Sequence, residues 1–276
     1  MTVRRIGNAT IEKVEELCAA GFRPNRMFPK FEQAAFDAHK GWMCPDHVDP
    51  TNDRLIGSVH TWIVKTGKHT ILVDTCLGND KQRHNAAWNK LDTPFLNRLK
   101  ACGCDPDSVD FVMCTHLHVD HVGWNTQLDN GRWVPTFKNA KYVWSQEDFD
   151  FYKELDKDPQ KGPANGGSFR DSVLPVFEAG MAQMVRGGAQ LDENIRITPA
   201  PGHTPGTIRI EFESRGEKAL FCGDILHHAL QIYHPEWNSF ACLDADNARK
   251  SRRAAVEYCA DSGARLLPCH FGAPFT

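Results

Sequence analysis

The chain has 276 residues, a formal net charge of −3, and 41% hydrophobic against 24% charged residues, the balance of a globular protein with a sizeable core. That charge leaves no basic footprint for nucleic acid or an anionic membrane surface, and no apolar run reaches the ~20 residues of a membrane span. The opening Met1-Thr2-Val3-Arg4-Arg5 lacks the apolar stretch of a secretory signal, and the ten cysteines form no Cys-x-x-Cys pair, which reads as a cytoplasmic protein with reduced thiols.

Residues 9–17 read as a strand. Residues 21–53 differ in kind: Pro24, Pro29, Pro45 and Pro50 are interleaved with Phe28, Phe31, Phe36 and Trp42. The expectation is one domain over 1–276, with 21–53 as a lid or a dimerisation arm and a short helix between Lys30 and Lys40. Residues 57–66 and 69–75 read as a strand pair turning at Gly67-Lys68, the second ending on Asp74. Residues 80–92 form a loop. Thr93-Pro94 then opens a helix through Cys102, with Thr93 as N-cap and Gly103 as stop.

The run Val109 to Cys114 is a buried strand that delivers Thr115-His116-Leu117-His118-Val119-Asp120-His121. Imidazole and carboxylate are the usual ligands of zinc and similar divalent ions. On an extended backbone His116 and His118 point the same way. Asp120 and His121 follow the turn, where they can face a second ion, and paired ions about 3.5–4 Å apart are the geometry of two-metal hydrolysis.

A hairpin over 124–137 turns at Asp129-Asn130-Gly131. Residues 141–144 are a strand and Ser145 caps the next helix, with Asp148 three positions on. Residues 156–168 have turn composition throughout, a surface linker. Residues 169–186 read as one helix with Phe169, Val173, Phe177, Met181 and Met184 on a core face. Strands over 194–200 and 206–213 flank Pro201-Gly202-His203-Thr204-Pro205-Gly206. Another strand runs from Lys218 into Gly223-Asp224. Asp246 caps a helix through Ser262, on which Arg249, Lys250, Arg252 and Arg253 read as a solvated face, and Gly263 ends it. A last strand, 265–269, delivers His270.

Strand ends therefore carry His116, His118, Asp120 and His121, then His203, then Asp224, then His270. Ligands gathered from several strand ends would sit on a rigid scaffold, and Asp224 has two oxygens with which to bridge a pair of ions. Cys222 and Cys269, beside these positions, read as small core residues rather than ligands.

The combination His-x-His-x-Asp-His, Gly-His-Thr-Pro-Gly, Gly-Asp and a final His resembles the metallo-β-lactamase superfamily over residues 55 to 270. The resemblance implies an α/β fold, a four-layer αββα sandwich of two mixed sheets. It implies that His116, His118 and His203 hold one divalent ion and that Asp120, His121 and His270 hold the other, zinc by default. Asp224 would bridge them with a water or hydroxide, and Asp74 would support a ligand histidine from behind. The full ligand set is similar to that of the acyl-homoserine lactonases and the methyl parathion hydrolase-like branch. The flavodoxin, helical C-terminal and inserted RNA-processing domains of other branches are absent from the sequence.

One position departs. Lactonases of this kind often carry a tyrosine three residues after the bridging Asp, where this chain has His227, closer to the methyl parathion hydrolase-like pattern. The expectation is a hydrolase whose bridging hydroxide opens a lactone or cleaves an ester. Asp120 and Asp224 would handle the proton and His227 would face a developing oxyanion. Phosphotriesterase-like and β-lactam chemistry are the alternatives on the same ions, and a non-catalytic binding protein is the third. A small substrate with an apolar part is expected against Phe28, Met43, Trp88, Trp124 and Tyr233. A homodimer through the arm is the expected assembly.

Overall fold

Alternating apolar residues and short turns build two sheets. The computed structural model describes residues 3–158, 160 and 163–272. The first strands, β1 (Val3–Ile6) and β2 (Ala9–Ala20), pair antiparallel. After α1 (Pro24–Met27) and α2 (Gln33–Met43) come β3 (Ile56–Lys65) and β4 (Thr70–Val73). Next are α3 (Phe95–Ala101), β5 (Phe111–Met113), the hairpin β6 (Thr126–Asp129) and β7 (Arg132–Pro135), then β8 (Lys141–Ser145), α4 (Gln146–Asp156), α5 (Leu174–Glu178) and β9 (Ala182–Val185). The second half holds β10 (Ala189–Gln190), β11 (Ile195–Pro199), β12 (Ile208–Ser214), β13 (Glu217–Gly223), α6 (Leu230–Tyr233), α7 (Ala245–Ser262) and β14 (Arg265–Pro268).

The seven-stranded sheet runs β1-β2-β3-β4-β5-β8-β9 and the five-stranded sheet β10-β11-β12-β13-β14. Both are mixed: β4, β5, β8 and β9 run parallel, as do β13 and β14, while the remaining pairings within the two sheets are antiparallel. Trp62, Val64, Ile71, Val73, Met113 and Val143 of the first sheet meet Ile197, Ile208, Ile210, Phe212, Phe221 and Leu267 of the second. Each such side chain contributes on the order of 1.5–3 kcal/mol when removed from water. Outside the first sheet pack Phe95 and Leu99 of α3 and Phe149 and Tyr152 of α4. Outside the second, Leu220 and Cys222 meet Ala255 and Val256 of α7. The layers are thus helix, sheet, sheet, helix, the expected αββα sandwich.

Several local expectations are corrected. Residues 169–186 are not one helix: a wide turn over Phe169–Val173 and the short α5 stop at Gly180, and Met184 lies on β9. Pro175 sits in the first turn of α5, where its missing amide is tolerated and a new short helix starts, and the positive φ of Gly180 ends it. Pro94 rather than Thr93 is the N-cap of α3, because the Thr93 hydroxyl is spent on Glu16 and Asn79. Asp244, not Asp246, caps α7 through the amides of Asp246 and Asn247. Arg252 does not share a solvated face: it is fully buried and donates to the carbonyls of Ile225 and Pro235. The linker lies partly outside the described residues, and its described portion is no loose surface turn, since Ala164 and Ser168 are buried and Asn165 donates to the Leu117 carbonyl.

Residues 21–53 carry their own small core. Phe28, Phe36, Met43, Val48 and Leu55 close on Leu230 and Trp237, so the segment is docked on the chain that follows Asp224. Phe28 and Met43 are completely buried there, and Trp124 stacks on Phe95 with its ring N–H on Glu16. These three are packing residues, not pocket walls. No disulfide joins any of the ten cysteines.

Candidate metal centre

The expected ligands converge where strands of both sheets end. Asp74 follows β4 with a positive φ of 58°, a conformation costly for a non-glycine residue and kept where the surroundings demand it. There its carboxylate accepts from the amide and hydroxyl of Thr115, which fixes the start of the histidine loop, and lies 2.9 Å from His121 Nδ1. Gly223, with φ 48°, lets β13 approach that loop: a Cβ at this position would stand 2.4 Å from Thr115 Oγ1.

Among the described residues, Asp74, His121 and Cys269 form one close group behind the loop, and two further sets of possible ligand atoms face Asp224. His116, His118, His203 and Asp224 bring theirs within 4.8 Å of one another, and Asp120, His121 and His270 do the same. Asp224 is 4% exposed and faces both. Its Oδ2 lies 3.1 Å from His203 Nε2 and 3.7 Å from His116 Nε2, while its Oδ1 lies 2.9 Å from His270 Nε2 and 3.2 Å from His121 Nε2. Ring nitrogens also face each other, His203 Nε2 with His118 Nδ1 at 2.7 Å and His121 Nε2 with His270 Nε2 at 3.2 Å.

These contacts test whether the residues fit metal ions. His116 Nε2 and Asp224 Oδ1 are buried without a hydrogen bond, although Oδ1 lies within 3.2 Å of two imidazole nitrogens. Close approach without hydrogen-bond geometry is what atoms directed at a common cation show. Leaving such groups unsatisfied would cost on the order of 1–3 kcal/mol each, and all belong to the nitrogen and oxygen set that zinc accepts. The donor set fits divalent metal.

Packed together out of water, these groups shift one another's titration. Burial drives His116 and His118 well below the ordinary imidazole value. Burial also pulls on His203, but Asp224 outweighs it and raises His203 to about 9. His121 and His270 are likewise raised against burial, chiefly by Asp224. The Asp224 carboxyl, despite burial, is held well below its usual range by His270, His121, His227 and His203.

His227 stands apart from both ligand sets. Its Nε2 is 3.3 Å from Asp224 Oδ2 and 3.1 Å from Ser239 Oγ, and burial lowers it to about 4, so it is neutral near pH 7. Asp120 stays partly accessible, with Oδ2 3.6 Å from His270 Nε2. Of the expected pocket residues, Trp88 is half-buried in its loop, and Tyr233 is 58% exposed against Trp42.

Sequence reasoning missed several supports. Asp148, legible only as a cap neighbour, is buried and accepts from the amides of Leu117 and Gly206 and the hydroxyl of Thr204, locking the loops of His116 and His203 to one carboxylate. Cys269 is buried as expected, yet its Sγ lies 2.8 Å from Asp74 Oδ2. Ser239 and Cys242 reach His227 and His203, and no local signal marks them.

Comparison with known proteins follows the same lines. Residues 55–270 match the family described as the Metallo-beta-lactamase superfamily. A Bacillus sp. protein named N-acyl homoserine lactonase is 23% identical over 176 residues, covering 59% of this chain and 62% of that protein. A Bacillus subtilis protein named probable metallo-hydrolase YybB is 23% identical over 190 residues, 66% of this chain and 69% of its own length. Among solved structures, one titled AidC, a dizinc quorum-quenching lactonase in complex with a product, superposes with a TM-score of 0.77 at 20% identity, covering 99% of this chain and 91% of that one. A hydrolase titled AbOPH gives 0.79 at 24% identity over 97% and 89%. A family match over more than half the sequence, on the sandwich and the clustered residues just described, means that the chain belongs to the metallo-beta-lactamase superfamily.

Proposed function

We propose that this protein is a dinuclear hydrolase, with zinc the default metal, that opens a lactone or cleaves a carboxylic ester carrying an apolar substituent. The observation that carries the reading is the division of the Asp224 oxygens between two ligand sets. His116, His118 and His203 would hold one ion, Asp120, His121 and His270 the other, with Asp224 shared. Metal ions held there would lower the pKa of water from ~15.7 toward ~7 and would supply a Lewis acid for a carbonyl oxygen.

The chain's own groups do the rest. Asp120, at the more open edge, is suited to carry the attacking water's proton to the leaving oxygen. Neutral His227 has its Nε2 beside Asp224 and can donate to oxygen as negative charge develops there. Leu243, 58% exposed, donates its amide to the His203 carbonyl, and Phe240 meets Phe22 at 5.6 Å. This apolar rim beside a ligand supports a substrate with an acyl or similar group.

The lactonase names of the relatives agree with this reading at low identity. His227 favours a second reading, a phosphotriester substrate on the same ions; β-lactams would share them also. A purely binding role is disfavoured because all seven expected ligands are present and convergent. The assay is a panel of a long-chain lactone, a phosphotriester and a chromogenic β-lactam on protein of measured metal content. Lactone turnover lost on chelation and restored by zinc is expected, and activity that survived metal removal would overturn the mechanism.

A further inference from the structure

Ligand imidazoles are held from behind by unlike partners. His121 Nδ1 has the Asp74 carboxylate at 2.9 Å, His270 Nδ1 donates to the Ser58 carbonyl at 2.9 Å, and His116 Nδ1 lies 3.1 Å from the Thr115 hydroxyl. His203 meets a sulfur: Cys242 Sγ lies 3.8 Å from its Nδ1, within the reach of a sulfur hydrogen bond.

The surroundings of Cys242 are not those of a core cysteine. Ser239 Oγ lies 3.5 Å from the sulfur and 3.1 Å from His227 Nε2. The buried Arg252 guanidinium also acts electrostatically on Cys242, favouring its charged form. Arg252 is itself fixed by the Ile225 carbonyl at 2.9 Å, the Pro235 carbonyl at 2.8 Å and Asn238 Oδ1 at 3.1 Å. The backbone closes the same loop, with the Leu243 amide on the His203 carbonyl at 3.1 Å and the Asp244 amide on the Gly202 carbonyl at 2.9 Å. An imidazole and a hydroxyl thus meet at one sulfur.

We propose that Cys242 is a positioning residue for the ion held by His116, His118 and His203. An imidazole that ligates through Nε2 carries its proton on Nδ1, and that N–H needs an acceptor to fix the tautomer and the ring plane. Cys242 Sγ accepts it, and Ser239 links the same sulfur to His227. One loop, 237–243, therefore sets both a ligand and the histidine that faces the reacting oxygen. This rests on the dinuclear reading of the site, but its test does not need turnover.

The test compares wild type, Cys242→Ala and Cys242→Ser as two-zinc proteins titrated with a chromophoric chelator, with cobalt absorption spectra of the same variants. In Cys242→Ala one of the two ions should come off at roughly tenfold lower chelator concentration or less, with the other within about twofold of wild type. Cys242→Ser, whose hydroxyl can accept the same proton, should recover most of the loss. The melting temperature of the metal-free protein should be the same in all three. The proposal is overturned if Cys242→Ala holds both ions as wild type does, or if both ions weaken together without rescue by serine. Wild type that binds two ions and hydrolyses nothing would sink the hydrolase reading and leave this result standing.

Discussion

The Asp74 carboxylate lies 2.9 Å from His121 Nδ1 while accepting the Thr115 amide at 2.7 Å. One strained residue thus sets both the ring plane of His121 and the start of the loop that carries it with three other expected ligands, His116, His118 and Asp120. Asp74→Ala should lower affinity for the ion at Asp120, His121 and His270 by about 10–100-fold, with activity falling in parallel. Metal content after dialysis against a weak chelator checks this. An Ala variant that retained both ions and full activity would remove Asp74 from the account.

Metal loading should release protons. With no ion bound, the Asp224 carboxylate beside His203 raises its imidazole from the ordinary 6.5 to about 9 against the effect of burial. Its protonation therefore stabilises the metal-free fold fully below about 6.5, and that contribution is lost as pH rises through about 9. At pH 7.5 the ring is protonated and an ion must displace that proton. Calorimetric titration with zinc in buffers of different ionisation enthalpy should give at least one proton released per chain at pH 7.5, and fewer above pH 9. No net release at pH 7.5 would contradict the assignment of His203 as a ligand.

Asp148 joins the two ligand loops without touching an ion. Its carboxylate accepts from Leu117, Thr204 and Gly206 in a fully buried position. Asp148→Ala leaves these donors unsatisfied, a loss on the order of 3 kcal/mol, or a fall in Tm of roughly 6–12 °C at this chain length. Thermal unfolding of metal-free protein reads the effect, and a Tm near that of wild type would mean that other contacts hold the loops.

The apolar rim should act on substrate choice rather than on chemistry. Leu243→Ala and Phe240→Ala should raise KM for long-chain lactones by roughly 3–10-fold, about 1 kcal/mol of lost apolar contact, and leave kcat nearly unchanged. Short-chain lactones should respond little. Equal losses for short and long chains would place the substrate elsewhere.

The residues of the candidate centre were legible because strand ends carry short motifs with their own chemistry: His116, His118, Asp120, His121, His203, Asp224 and His270 come together there. The layered fold came with the family resemblance that those motifs carry, and the two mixed sheets agree with it. What escaped depends on tertiary contact. Arg252 looks like any exposed helix cation until its burial under the 235–242 loop is seen. Asp148 and Cys242 carry no local pattern, since their partners lie 31 to 58 and 39 positions away in sequence. Residues 169–186 were misread because their apolar spacing suits a helix, while Pro175 and Gly180 cut the segment and the parallel edge of β8 recruits its end as a strand.

Anomalous diffraction at the zinc edge from crystals of the zinc-loaded protein tests the central claim most directly. Two peaks are predicted, one bonded by His116, His118 and His203 and one by Asp120, His121 and His270, with Asp224 contributing an oxygen to each. A single peak, or Asp224 turned away from both, would contradict the account.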